Sequence, residues 1–420
     1  MKIRLVACVL MGAWLLPAYA ADDLGVNLAG LLEYAREHNP EFAAMRYEAD
    51  AAAQRVQPSD SFPDPVLRTE LMDITNRGMD KRPSVFPSQV GSTRYTLMQS
   101  VPWFGKRDLK REVAGAMAGQ AQGRTAATWA DLSMQIKSSY AQYYYVAGDQ
   151  KITRDLLDLM GQMEKVAQER YANGLAALQD AVRAQVEQTV MKTELVMLDN
   201  TRRQVETRLN ALLSRPANMS LAIPQTLRSI PAAASLEKYP VLESRIREHN
   251  PDLFVDEAGI SAAEKNRELA YKNRYPDFTL GISPTQFGTA VREWGVMAEL
   301  NIPLQQEARR SQERESEAML AAAKSRKEAT ANRILSVLAE NLSGLDAAQR
   351  TELLSSSGLL PQAKVAFESA LAGYQTGKVD FATLLDAARQ ILKAKLEVLK
   401  AQTDAQMRLA EIERLLGEDL

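Results

Sequence analysis

Arg36-Glu37-His38-Asn39-Pro40 returns as Arg247-Glu248-His249-Asn250-Pro251, and this repeated pentapeptide decides how the 420-residue chain is organised. Five identical residues in a row rarely recur by chance, so a longer internal repeat is sought first. Two more matches follow in the same order. Phe62-Pro63-Asp64-Pro65-Val66-Leu67 corresponds to Tyr275-Pro276-Asp277-Phe278-Thr279-Leu280, and Tyr171-Ala172-Asn173-Gly174 to Tyr374-Gln375-Thr376-Gly377. The pattern predicts an internal duplication, with a first repeat over 21–215, a linker over 216–240 and a second repeat over 241–420. The linker is rich in turn formers and bounded by Pro216 and Pro240, which suits a surface crossing.

Each repeat has the same internal order. A helix (about Leu28 to Gln57, and about Val241 to Asn273) precedes a β-like region (about 62–103, and about 276–303). Two very long helices follow, over about 106–215 and about 306–417. No proline interrupts Lys106 to Arg215, where the only pause is Asn173-Gly174. A helix from about Lys106 to Ala172 would hold roughly 65 residues and reach about 100 Å. In the second repeat Gly358 and Pro361 fall inside the corresponding helix and are expected to kink it. Ile391, Ala394, Val398, Ala401 and Ala405 recur at helical spacing, a stripe suited to close coiled-coil packing.

The β-like regions carry a membrane argument. In Glu293-Trp294-Gly295-Val296-Met297-Ala298-Glu299-Leu300-Asn301-Ile302 the even positions are all apolar. Period two over such a length matches one transmembrane β-strand. Phe278 to Ser283 alternates in the same way, while Tyr95 to Val101 and the trio Leu67, Thr69 and Leu71 are weaker versions. Trp294, Tyr95 and Trp103 stand near strand ends, where an aromatic girdle would place them. Four strands cannot close a barrel, and an open edge cannot face lipid. Several chains must therefore contribute, and three copies would supply about twelve strands, an even number in the known range. The expected fold is mainly α with transmembrane β: a long antiparallel coiled coil plus four strands per chain.

Composition narrows the partners. Lys+Arg (51) nearly balance Asp+Glu (53), for a net charge of -2. Such a chain lacks the basic footprint that nucleic acid demands. Lys2 and Arg4, the apolar run Leu5 to Leu16 and Ala18-Tyr19-Ala20 read as an export signal cleaved after Ala20. Cleavage there removes Cys8, the only cysteine. Lipidation at Cys8 is the alternative, but it leaves almost no apolar region before the cysteine. No later run approaches the roughly 20 apolar residues of a membrane helix.

Enzyme chemistry finds no support. His38 and His249 occur in identical contexts, so they fall at equivalent places, reading as helix-end residues, and not in one site. There is no His/Cys ligand spacing, no G-x-S-x-G and no P-loop, so no cofactor and no resident metal are expected. Sixteen methionines are mostly isolated in apolar stripes; Met72, Met79, Met98 and Met297, in or near the hairpins, read as fillers. An exported coiled-coil scaffold or adhesin would share the long helices but gives no reason for two alternating hairpins.

Over essentially its whole mature length the chain resembles the TolC family of outer-membrane factors. The marks are the His-Asn-Pro motifs at 38–40 and 249–251, both strand hairpins, and the Tyr-x-x-Gly tips at 171–174 and 374–377. Val101-Pro102-Trp103-Phe104-Gly105-Lys106-Arg107 is similar to the strand-to-helix junction of the branch that serves heavy-metal pumps, with Ile302-Pro303-Leu304 as its counterpart. The resemblance implies a homotrimer in outer-membrane lipid of a Gram-negative bacterium, its twelve-stranded barrel continuing into a twelve-helix periplasmic tunnel. It implies docking onto a periplasmic adaptor protein and an inner-membrane pump of the resistance-nodulation-division class. Heavy-metal cations are the implied cargo, with drugs, solvents or type I secretion substrates as alternatives.

The family closes its periplasmic end through contacts between neighbouring helices. The resemblance maps that gate onto Arg170, Tyr171, Gly174, Asp180, Tyr374, Gly377, Lys378 and Asp386. Three-fold symmetry would turn Asp386 into a carboxylate ring favouring cations. Asp180 and Asp386 equally fit helix N-terminal capping, and the two roles are compatible. The sequence departs from the family at Val379, where an arginine gate partner occurs, and at Thr383, where a second aspartate ring would lie. Lys378 is a candidate for the missing charge.

Overall fold

The computed structural model describes residues 24–75, 83–230 and 239–420. The expected export signal, Cys8, Met79 and part of the expected linker lie outside the described residues. The first part of the chain forms α1 (Leu28–His38), α2 (Pro40–Gln54), a short α3 (Val56–Ser59), β1 (Val66–Met72), β2 (Ser92–Val101), α4 (Lys106–Ala172) and α5 (Leu178–Leu212). The second part forms α6 (Tyr239–His249), α7 (Pro251–Lys272), β3 (Asp277–Phe287), β4 (Ala290–Asn301), α8 (Gln306–Leu354), a π-turn (Ser355–Leu359), α9 (Leu360–Gln375) and α10 (Phe381–Leu416). Two compact units share this chain. One contains Ser133–Ala233 and Gly344–Ala410 together with the chain up to Asn39; the other contains Pro40–Leu132, Ala234–Ser343 and Glu411–Leu420.

The pentapeptide corrects the expected helix boundaries. In place of one helix at the head of each repeat there are two, because the chain breaks at Asn39 and at Asn250. Proline cannot donate a backbone N–H and disfavours helical backbone in the residue before it. Both asparagines are accordingly extended, with ψ of 118° and 125°. Their buried amides then find distant partners: Asn39 Nδ2 donates to Leu212 O at 2.9 Å, and Asn250 Nδ2 to Leu415 O at 2.8 Å. These acceptors sit in the last turns of α5 and α10, where carbonyls lack an in-helix partner. The repeated motif thus fastens the opening helix junction of each half to the end of its last long helix. Asn250 also caps α7, its Oδ1 accepting from the Leu253 N–H at 3.0 Å. Replacing Asn250 by Ala removes that cap and orphans the Leu415 carbonyl, so a loss of about 2 kcal/mol is expected, read as a lower melting temperature in detergent.

The histidines beside these asparagines stay at the surface. His38 Nδ1 lies 3.0 Å from Tyr34 O and His249 Nδ1 lies 3.2 Å from Arg245 O, one turn back in each helix. Past the far ends of the long helices the two halves differ. Gly417 follows α10 with φ +74°, whereas Ser214 takes the same role after α5 with φ +57°. A side chain in left-handed backbone is strained and glycine is not. Ser214→Gly is therefore expected to stabilise the fold by about 0.5–1 kcal/mol, measured as a rise in melting temperature.

The expected kink at Gly358 and Pro361 resolves into a π-turn. The Leu360 N–H reaches back to Ser355 O, and Leu354 and Leu360 both keep right-handed helical backbone. The wider turn moves the carbonyl that the Pro361 ring would strike, so helix continues on both sides.

The strands form one four-stranded antiparallel sheet in the order β1-β2-β3-β4. Its central pairing, β2 with β3, joins the two halves of the chain. Register places Leu67 opposite Leu97, Leu97 opposite Ile282, and Ile282 opposite Val296. This apolar row crosses all four strands and is solvent-facing in the single chain, at 66%, 47%, 49% and 88% exposure. Strands β1 and β4 are left as edges.

Candidate functional site

Two places gather the residues singled out in the sequence. At the strand-to-helix junction, β2 ends and α4 begins across Pro102 to Gly105. Gly105 turns the chain with φ +78°. Trp103 stacks on Tyr275 (ring centroids 5.1 Å apart, 10° between planes) and on Phe278 (5.4 Å, 21°). Behind the stack, the buried Lys106 Nζ donates to Asp277 Oδ1 at 2.8 Å and to Tyr275 O at 3.0 Å. The Trp103 N–H donates to the same Asp277 oxygen at 2.8 Å. One carboxylate at the start of β3 therefore satisfies both a buried ammonium and the amide that the strand-to-helix turn would leave unpaired. At the corresponding junction in the second half, Gln306 Nε2 donates to Pro303 O at 2.8 Å. Sequence reasoning named Lys106 as a junction residue but not Asp277; its signal was the repeated Pro-Asp of the second match.

The hairpin tips form the second place. Both turns use the same hydrogen bonds: Leu175 N–H to Arg170 O and Lys378 N–H to Gly373 O, each 2.8 Å, enclosing Gly174 N–H to Tyr171 O and Gly377 N–H to Tyr374 O. Gly174 and Gly377 hold φ of +69° and +74°, the left-handed position this closing turn requires. Beneath them lies an apolar core that includes Met160, Met163, Ala184, Met191, Phe367 and Leu384. The tyrosines at equivalent places have separate fates. Tyr171 is 48% exposed, whereas Tyr374 is 3% exposed, edge-on to Phe381 at 5.4 Å.

Tyr374 joins the two hairpins. Its Oη donates to Asp180 Oδ2 at 3.1 Å, and the Arg170 guanidinium lies 5.1 Å from its ring centre. Arg170 also donates to Gln375 O on the opposite hairpin and to Leu175 O on its own. Arg170 is thus the cation against Tyr374; Lys378 is exposed, and Val379 fills the space beside Gly373. Burial first, and the Asp180 carboxylate second, push the Tyr374 phenol up to about 12. A raised phenol favours the folded state fully below the ordinary tyrosine range near 10 and loses that favour as pH rises through about 12. Burial also raises Tyr140, Tyr143 and Tyr145, so alkaline titration at 295 nm should show a late phenolate component that is smaller by one tyrosine in Tyr374→Phe.

Farther along the same seam, Arg389 on α10 grips Glu187 on α5 through two hydrogen bonds of 3.1 and 2.7 Å. Neither residue was singled out in the sequence, since a cross-helix pair has no local signature. Asp386 is exposed in the second turn of α10, 3.7 Å from Arg389. The cap of α10 belongs to Asp380, whose Oδ1 accepts from the Thr383 N–H at 2.9 Å. An aspartate three residues before that amide was the available signal. Among the described residues no helix is long and apolar enough to cross a membrane, and no group of three or more His, Cys, Asp or Glu is placed to hold a metal ion.

The described residues thus form long helical hairpins and one four-stranded antiparallel sheet with two open edges. Comparison with known proteins shows what this chain is similar to. Residues 242–418 match the family described as outer membrane efflux protein. The cobalt-zinc-cadmium resistance protein CzcC of Cupriavidus metallidurans is 23% identical over 97% of this chain and 94% of its own. Outer membrane protein TolC of Vibrio cholerae is 21% identical over 96% of this chain and 95% of its own. Among solved structures, CusC superposes with a TM-score of 0.80 at 16% identity, covering 93% of this chain and 92% of that one. The chain is therefore similar, along nearly its whole length, to outer-membrane efflux proteins of the TolC type.

Proposed function

We propose that three copies of this chain, each built by duplication of one helix–hairpin–long-helix unit, assemble into the exit duct of a tripartite efflux system. The observation that carries the proposal is the sheet: an apolar row across four strands, with β1 and β4 left as edges. In lipid such edges must pair, and pairing β4 of one chain with β1 of the next closes about twelve strands around a three-fold axis. Exposed Val182, Val186 and Val190 on α5, and Leu353, Leu354 and Val365 on the opposite hairpin, supply apolar stripes for the neighbouring chains' helices. Export through a signal cleaved after Ala20 delivers the protein to the outer membrane. The hairpin tips, with Arg170, Tyr171, Gly174, Asp180, Tyr374, Gly377, Lys378 and Asp386, form the periplasmic gate. The junction residues Pro102, Trp103, Gly105, Lys106 and Pro303 set the passage from barrel to tunnel.

A periplasmic adaptor and an inner-membrane pump of the resistance-nodulation-division class complete the system. The named role of CzcC supports divalent metal cations as cargo. The test uses the cysteine-free mature chain: one cysteine in β1 and one in β4, oxidised in isolated outer membranes. The expected product is a cross-linked ladder ending at three chains. A monomer released by carbonate washing would overturn the assembly and favour a peripheral coiled-coil scaffold. For cargo, deletion should sensitise cells to cobalt, zinc or cadmium; sensitivity confined to drugs would reassign it.

A further inference from the structure

The two open edges of the sheet carry opposite charges on the face turned away from the apolar row. On β1 that face holds Val66, Arg68, Glu70 and Met72; on β4 it holds Glu293, Gly295, Met297, Glu299 and Asn301. Most of its charges already have a counter-ion nearby. Glu70 has Arg94 of β2 at 3.9 Å, Asp277 of β3 has Lys106, and Glu293 has Arg292 beside it on its own strand. Arg68 and Glu299 are both exposed, and among the described residues neither makes an ion pair. A free cation on one edge and a free carboxylate on the other are complementary between copies, head to tail, and not within one chain.

The order of the strands around a closed barrel follows from Pro284. Pairing of β2 with β3 is interrupted at Tyr95 and Thr96, opposite Pro284 and Ser283, whereas β3 pairs with β4 there without a gap. Proline has no N–H to give, so the backbone groups of even-numbered β3 residues point towards β2. The side chains of those residues, Ile282 among them, share the apolar row's face, which points outward in lipid. For L-residues this combination puts β2 to the right of β3 and β4 to the left, seen from outside with the helices below. Strands coil to the right as they rise, so a row of paired residues climbs towards the left, from β4 to the next copy's β1. With strands tilted about 35–45°, the climb around about twelve strands totals about 12–17 residues, or about four to six per chain. Only an even slide keeps the apolar faces in line. A slide of four sets all seven β1 residues opposite residues 295–301 of the neighbour's β4. Leu67 then meets Leu300 and Leu71 meets Val296 on the outer face, and Arg68 meets Glu299 on the inner one.

We infer that Arg68 of one copy pairs with Glu299 of the next and that this pair fixes the register of the seam between copies; the inference rests on the trimer proposed above. A water-facing ion pair adds little affinity. Its effect is on specificity, because a slip of two residues leaves every apolar face in place and the apolar contacts alone do not oppose it. A slide of six instead of four moves Arg68 opposite Asn301 and sets Glu70 directly against Glu299, two like charges face to face. A slide of two moves Arg68 opposite Met297. Of the even slides, four alone places the free cation against the free carboxylate.

The test uses the full-length chain in isolated outer membranes. Arg68→Cys/Glu299→Cys should oxidise to a ladder ending at three chains, whereas Arg68→Cys/Glu293→Cys should give at most about a tenth as much cross-linked product, its sulfurs being too far apart. Charge reversal reads the pair itself. Arg68→Glu and Glu299→Arg should each lower the temperature at which the detergent-extracted trimer dissociates by about 5 °C, and the double reversal should recover most of that shift. A trimer in which Arg68→Cys/Glu299→Cys stays uncrosslinked, or in which Arg68→Cys/Glu293→Cys cross-links better, would overturn the inference. So would a double reversal no more stable than the single ones, since the effect would then not follow charge. A wild-type chain that is monomeric in the same membranes would remove the trimer itself, and this inference with it.

Discussion

Asp277→Ala is expected to be the most destabilising single substitution at the strand-to-helix junction, costing about 3 kcal/mol. The carboxylate accepts from Lys106 Nζ and from the Trp103 N–H, both at 2.8 Å. Its loss leaves a buried ammonium and a turn amide without their acceptor, and breaking a buried pair from one side typically costs about 3–5 kcal/mol. The lower end applies because the Asp277 side chain is 40% exposed, so water recovers part of the solvation. Tyr275 O, which also accepts from Lys106 at 3.0 Å, keeps one contact in place. The measurement is the melting temperature of the detergent-solubilised protein, with Asp277→Asn as the partner experiment. The amide oxygen of Asn can still accept from Trp103 but carries no charge, so that variant should lose about half as much. Lys106→Met/Asp277→Leu should recover only part of the loss, because removing both ions together strands no charge but still leaves the Trp103 N–H without its acceptor. Equal melting of Asp277→Ala and the wild type would show that the junction is held by the Trp103 stack alone.

The position of that carboxylate also shows how far the sequence could be read. The order of elements followed from the repeated motifs, because a proline, a turn glycine and a run of alternating residues each act on the local backbone. The tips at Gly174 and Gly377 and the strand over Val296 to Leu300 were legible for that reason. The break at Asn39 and Asn250 was harder. Asn-Pro marks a helix boundary locally, but the asparagine's value lies in the distant carbonyls of Leu212 and Leu415. The proposed gate residues were reached by family resemblance, and the structure brings Arg170, Tyr374 and Asp180 together while leaving Tyr171 and Lys378 exposed. Lys106–Asp277 and Glu187–Arg389 could not be read at all. Each joins residues well over a hundred positions apart, and a single sequence carries no signal for a pairing that only tertiary packing creates.

In the proposed conduit, Tyr374→Phe/Arg170→Ala is expected to shift the hairpin tips strongly towards an open state. Side-chain hydrogen bonds that join the two hairpins along the tip seam include Tyr374 to Asp180, Arg170 to Gln375, and Arg389 to Glu187. The double variant removes the first two and leaves the third. A hydrogen bond of this kind contributes on the order of 1 kcal/mol net, and the guanidinium against the Tyr374 ring adds up to about 1 more. Losing roughly 2 kcal/mol per chain multiplies the open-to-closed ratio of one hairpin pair by about 30, since about 1.4 kcal/mol is a factor of ten. Val379 stands where the resemblance would place a further cation, so no second arginine on that turn compensates. Single-channel recordings should show longer openings and higher mean conductance than the wild type. The Tyr374→Phe change keeps an aromatic ring for Phe381 to pack against, and the core around Met160 and Leu384 is untouched. The melting temperature should therefore change far less than conductance. A double variant that melts early without conducting more would mean that these contacts hold the fold together and do not hold the duct shut.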